Sequence, residues 1–190
     1  MEKAVFIDRD GVINVEKNYV HKIEDFSFIP GTFSALRILK SLNFRLIIIT
    51  NQSGIARGFY TKADVDELHR YMLNILKENE VEIDAVYICP HHPEGKIDRF
   101  AVNCGCRKPN PGMILSAKDR FNLDLKESIL VGDKISDINA GINAGIGLNI
   151  LVESGHLINI DEKMKCNYVF PNLQKFANWL KFQIHDKTNI

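Results

Sequence analysis

Two carboxylates stand two residues apart in Asp8-Arg9-Asp10-Gly11. Asp and Gly are also ordinary turn residues, so this pair gains chemical meaning only from its place in the fold. Three further clusters have complementary chemistry. Thr50-Asn51-Gln52-Ser53-Gly54 offers a hydroxyl, two amides and backbone N–H groups free to face an anion. Arg107-Lys108-Pro109 supplies two cations, and Gly132-Asp133-Lys134 a further carboxylate and ammonium, with Asp137 following. Arg57 lies in Gly54-Ile55-Ala56-Arg57-Gly58, a basic turn that can face a ligand. Asp137 reads equally well as an early-helix charge favoured by the helix dipole.

A separate cluster points to a metal. Cys89-Pro90-His91-His92-Pro93 and Cys104-Gly105-Cys106 bring three thiols and a choice of imidazoles into an 18-residue, turn-rich span. That set matches a closed tetrahedral Cys₃His zinc site with no open position for water, which is a structural site. Arg107-Lys108 follow Cys106 directly, so fixing the thiolates also fixes two cations. Cys166 has no partner at ligand spacing and reads as a small buried apolar residue.

These clusters need elements to converge them. Apolar runs at Ala4–Ile7, Leu46–Ile49, Ala85–Ile88, Ser128–Val131 and Leu148–Val152 alternate with helical periodicity, the pattern of an α/β parallel sheet covered on both faces. Phe33, Leu36, Leu39 and Leu42 predict a helix opening after Pro30-Gly31, and Thr61-Lys62-Ala63-Asp64 approximates a capping box for one reaching Asn79. Later helices are expected over 111–121, 136–144 and 172–184. The chemical clusters fall where strands end, which is where ligand crevices of open α/β sheets lie.

At 190 residues the chain is expected to form one domain over 1–190. Lys plus Arg and Asp plus Glu both total 24, which gives no general attraction to nucleic acid or anionic membrane. No apolar run is long enough for a signal h-region or a membrane span, so a cytoplasmic protein is expected.

The four motifs, in this order and at these positions, resemble the haloacid dehalogenase superfamily of phosphotransferases over roughly Val5 to Val152. The resemblance implies a Rossmann-like sheet and a Mg2+-dependent phosphatase. Asp8 would be the nucleophile, forming an aspartyl-phosphate, and Asp10 the general acid and then base. Mg2+ would be held by the Asp8 carboxylate, the Asp10 backbone carbonyl and Asp133. Thr50 and Lys108 would hold the transferring phosphoryl group, with Asn51, Arg57, Arg107 and Lys134 toward the rest of the substrate. It also names His91, rather than His92, as the fourth Zn2+ ligand with Cys89, Cys104 and Cys106.

Only 15 residues separate Asn14 from Pro30, and the zinc loop occupies the other point where relatives carry a cap, so a capless, open site is expected. The 12 residues between His91 and Cys104 resemble the long loop of capless enzymes that remove the 7-phosphate of a heptose 1,7-bisphosphate. The implied partner is therefore a small sugar bisphosphate, handled by a monomer. Histidinol phosphate or another small monophosphate is the alternative substrate. A non-catalytic phosphate-binding or zinc-stabilised interaction module would be expected to lack Asp8 or Asp10, and both are present.

Overall fold

The computed structural model describes residues 1–157 and 159–188. Six parallel strands stand in the order β3-β2-β1-β4-β5-β6: β1 Ala4–Ile7, β2 Arg45–Asn51, β3 Ala85–Cys89, β4 Ile129–Gly132, β5 Leu148–Val152 and β6 Tyr168–Phe170. The helices are α1 Thr32–Ser41, the four-residue α2 Gly54–Arg57, α3 Lys62–Glu78, α4 Gly112–Phe121, α5 Ile135–Ala144, the four-residue α6 Ile160–Lys163 and α7 Leu173–Thr188. The expected sheet and long helices are present. The sequence pattern predicts none of β6, α2 and α6.

Strand alternation sorts the core into two layers. Val5 and Ile7, Leu46 and Ile48, and Ile129 and Val131 pack with residues of α1, α3 and α7, including Leu36, Leu68 and Phe176. Ala4 and Phe6, Ile47 and Ile49, and Leu130 pack with Met113 and Ile114 of α4 and Ile138 of α5. A strand buried on both faces has no polar side to show, which is why β1 and β2 read as unbroken apolar runs. Burying a Leu, Ile or Phe side chain contributes about 1.5–3 kcal/mol each, so both layers hold the central strands firmly.

The strand order reverses between β1 and β4, which are hydrogen-bonded neighbours with Val5 beside Ile129 and Ile7 beside Val131. At that switch point the crossover connections leave in opposite directions and open a crevice at the carboxyl ends. Neither cap position carries a domain. The segment from Asn14 to Pro30 holds one 3-10 turn, Ile23–Asp25, and that from Cys89 to α4 holds another, Asp98–Phe100.

Cys166 departs from expectation. It is half-buried and donates its S–H to the Lys163 carbonyl at 3.1 Å, because it lies on the loop into the edge strand β6 rather than under a helix.

Candidate active site and metal centres

Asp8 directly follows β1, and its backbone N–H extends the ladder to the Val131 carbonyl at 3.0 Å. The carboxylate is 6% exposed and meets the Lys108 ammonium at 2.8 Å. Lys108 also lies 2.7 Å from Asp137 and donates to the Ile49 carbonyl at 3.0 Å. Burial opposes its charge, but the Asp137 and Asp8 carboxylates outweigh that and hold its pKa above the usual range. Asp133 directly follows β4 and is fully buried.

One carboxylate oxygen from each of Asp8, Asp133 and Asp137 can lie within 4.8 Å of the others. Three buried carboxylates facing one ammonium leave excess negative charge, and Asp133 and Asp8 register it. Asp133 is pushed up to about 9, first by burial and then by Asp8 and Asp137. Asp8 is raised to about 6, again first by burial, with Lys108 working against the shift. Asp133 Oδ1 is buried without a hydrogen-bond partner, while Oδ2 lies 2.5 Å from Nδ1 of His156. An orphaned carboxylate oxygen among hard oxygen donors fits a divalent cation of the magnesium type. Gly11 makes this packing possible: its φ is +84°, and a Cβ there would lie 2.2 Å from Asp133 Oδ2.

Asp10 points elsewhere. Its carboxylate accepts from Arg9 Nε at 3.1 Å and Nη2 at 2.8 and 2.9 Å, from Asn14 Nδ2 at 3.0 Å and from Gln52 Nε2 at 3.1 Å. Burial favours the neutral acid, but the Arg9 cation and these donors outweigh it and hold the pKa below the ordinary carboxylate range. Gln52 joins this group to Thr50 Oγ1 at 2.9 Å and accepts from the Tyr60 hydroxyl at 2.9 Å.

A cavity of about 290 Å³ opens over these groups. Asp8, Asp10, Thr50, Asn51, Arg107, Lys108, Lys134 and Asp137 line it, so the structure brings together the ends of β1, β2 and β4 and the loop that precedes α4. Arg57 is not among the lining residues. Its guanidinium instead meets Nε2 of His92 at 3.0 Å, which ties α2 to the cysteine loop. Asn51 also holds the backbone that carries the ammonium. Its side chain accepts from Lys108 N and donates to Lys108 O, both at 3.1 Å. The Lys108–Pro109 peptide is cis.

Glu16, Asn18 and Tyr19 also line the cavity and were not singled out from sequence. Asn18 and Tyr19 have φ of +57° and +58°, a left-handed pair that turns this loop back over the site. Tyr19 meets Phe59 edge to face at 4.9 Å between ring centres.

The thiol cluster lies beside the cavity. Cys89, Cys104 and Cys106 sulfurs are 3.2–3.5 Å apart, and His91 Nδ1 is 3.8 Å from Cys89 and 3.4 Å from Cys106. A tetrahedron built on metal–sulfur bonds of about 2.3 Å has edges of about 3.8 Å, so the four atoms are near ligand spacing around one centre. His92 is turned away, accepting from Glu94 N and facing Arg57. Arg107 donates to the His91 carbonyl at 3.3 Å, which links the loop to the cavity wall.

This sheet with an aspartate pair at its switch point defines a HAD-like hydrolase, and a model described as HAD-hydrolase-like matches residues 105–176. The chain is 43% identical over 180 residues to the D-glycero-beta-D-manno-heptose-1,7-bisphosphate 7-phosphatase of Escherichia coli K12, covering 95% of this chain and 94% of the relative. The Yersinia pestis protein of that name is 42% identical over 178 residues, covering 94% and 95%. Among solved structures, a D,D-heptose 1,7-bisphosphate phosphatase from B. bronchiseptica complexed with magnesium and phosphate has a TM-score of 0.82 at 29% identity, covering 95% of this chain and 99% of that one. A HAD-like phosphatase from Mesorhizobium loti also has a TM-score of 0.82, at 30% identity, covering 95% and 87%. The chain belongs to the family of these heptose-bisphosphate phosphatases.

Proposed function

We propose that this protein is a Mg2+-dependent phosphatase that removes the 7-phosphate of D-glycero-D-manno-heptose 1,7-bisphosphate through an aspartyl-phosphate on Asp8. The observation that carries the reading is the buried cluster of Asp8, Asp133, Asp137 and Lys108 beneath an open polar cavity. The names of the relatives supply the substrate.

Asp8 attacks phosphorus, and Lys108, which already holds it at 2.8 Å, can shift part of its charge onto the incoming phosphoryl oxygens. Asp8, Asp133 and the Asp10 carbonyl would hold magnesium, which would supply neutralisation of the charge that opposes attack. Asp137 is a further acidic neighbour, and its 2.7 Å contact keeps Lys108 aimed between the two carboxylates. Thr50 presents its hydroxyl to the same phosphoryl group.

Asp10 gives a proton to the leaving sugar oxygen and then takes one from the hydrolysing water. Its five donor contacts favour the ionised form, which suits the second step. The approach of a phosphate dianion raises its proton affinity for the first.

Arg107 and Lys134, which both line the cavity, are suited to the distal phosphate, while Arg57 serves the loop through His92. The Cys89-His91-Cys104-Cys106 cluster is read as a closed Zn2+ site that stiffens the loop leading into Arg107 and Lys108. The whole chain is read as one domain acting as a cytoplasmic monomer. Among the described residues no helix is long and apolar enough to cross a membrane.

Steady-state comparison of the α and β heptose bisphosphates with histidinol phosphate tests the reading. One heptose anomer should lead in kcat/KM by at least about a hundredfold, within reach of sites that pair several substrate hydroxyls. Equal values for heptose bisphosphate and histidinol phosphate would remove the substrate assignment.

A further inference from the structure

Among the described residues Arg9 is the largest of the fully buried side chains. A guanidinium keeps its charge and has no acceptor, so each of its N–H groups must find one inside the protein. Nε and Nη2 grip both oxygens of Asp10, and Nη2 also donates to the Val20 carbonyl at 2.8 Å. Among the described residues the acceptor for Nη1 is Nε2 of His69, at 3.0 Å. His69 lies on α3 and is 7% exposed. Because Arg9 can only donate, His69 must accept through Nε2 and carry its proton on Nδ1. The other buried positions of α3 are Val65, Leu68, Met72 and Leu76, so an imidazole here breaks an otherwise apolar face. Burial and the Arg9 cation hold its pKa down at about 3, while Asp10 and Asp66 oppose the shift and Lys62 adds to it. The ring therefore stays a neutral acceptor at working pH.

We infer that His69 is a positioning residue for Asp10 that acts through Arg9: by taking Nη1 it fixes the plane from which Nε and Nη2 hold both carboxylate oxygens. It does not touch substrate. The inference rests on the proposed acid–base role of Asp10, and the test separates the two.

The test compares kcat/KM for a sugar bisphosphate and for p-nitrophenyl phosphate. That ratio reports steps through departure of the first leaving group. A sugar alkoxide needs a proton to leave and p-nitrophenolate does not, so misplacing Asp10 slows the first ester selectively. His69→Leu, which removes the acceptor at similar size, should lower kcat/KM for the sugar ester about tenfold or more, a fraction of a general acid's worth, with less than about threefold change on the aryl ester. His69→Gln, which restores an acceptor, should recover most of the loss on the sugar ester.

Equal losses on both esters, or no loss on either, would overturn the inference, as would a glutamine variant no better than leucine. Should the leucine variant not fold, the split is read from His69→Met and His69→Asn. Asp10→Asn is the control. If it shows the leaving-group split and the His69 variants do not, only the inference fails; if it does not, the Asp10 assignment fails.

Discussion

Removing magnesium should make the stability of this protein fall with rising pH, and restoring it should cancel the fall. In the metal-free cluster the Asp133 carboxyl is pushed up to about 9 and that of Asp8 to about 6, burial being the first cause for both. An unfolded aspartate titrates near 3.9, so in that range the native state holds protons the unfolded chain has lost. A carboxyl of this kind contributes fully below about pH 4. Its contribution is lost at about 1.4 kcal/mol per pH unit as pH rises to the folded value. The Asp8 window is therefore about pH 4–6 and that of Asp133 about pH 4–9. His69, held at about 3, has the opposite sign: the unfolded chain binds its proton below about 6.5, so stability rises with pH to that point and is then level. Of these three groups Asp133 alone is still changing between about pH 6.5 and 8. From pH 7 to 8 the magnesium-free protein should lose on the order of 1 kcal/mol, or a few degrees in Tm for a chain of this size. Magnesium binding should release close to one proton, and its Kd should fall about tenfold per pH unit. Scanning calorimetry after dialysis into magnesium-free buffer, with titrations in two buffers of different ionisation enthalpy, measures both quantities. A flat stability curve with no proton release would refute the reasoning, because Asp133 would then already be ionised beside Lys108.

Three further outcomes are expected. Asp8→Asn should leave the protein folded and cut turnover by at least about a thousandfold, a modest fraction of what removing a covalent nucleophile can cost; turnover within tenfold of wild type would exclude Asp8 as nucleophile. Arg107→Ala should raise KM for the bisphosphate at least about tenfold more than KM for a simple monophosphate, since only the former has a distal phosphate to lose; equal increases would place Arg107 elsewhere. Cys106→Ala or zinc chelation should destabilise the protein by more than about 3 kcal/mol, given binding free energies of about 10 kcal/mol or more at structural zinc sites. An unchanged Tm and full retention of zinc would show that the cluster is not a four-ligand site.

The ease with which each part was read from sequence followed the range of the interaction behind it. β1 and β5 appeared at their observed limits because strands buried on both faces leave a local apolar signature. β6 has only three residues at a sheet edge, Tyr168 to Phe170, and α2 and α6 only four each, too few for any period to show. Asp137 had two readings from sequence and the fold uses both. One oxygen accepts from Lys134 N at the start of α5, and the other faces Lys108 at 2.7 Å. Arg57 shows the opposite failure: its turn is basic and near the site, but the approach of His92 from another segment decides where the guanidinium goes. The Asp10–Gln52–Tyr60 and Arg9–His69 contacts link residues from 8 to 60 positions apart and leave no motif.

The thiol cluster and the carboxylate cluster are coupled through a short stretch of chain. Cys106 faces the other thiols, Arg107 reaches back to the His91 carbonyl, and Lys108 enters the carboxylate cluster, all within three consecutive residues. Successive Cα atoms are about 3.8 Å apart, so a shift of the cysteine loop cannot be absorbed before it reaches the ammonium. Asn51 closes the path from the other side, holding the Lys108 backbone with two hydrogen bonds from the end of β2. Lys108 is thereby fixed by the loop, the sheet and two carboxylates before any ligand arrives. That arrangement removes ordering of a long flexible side chain from the cost of binding phosphate, an entropy a surface lysine would lose on each encounter.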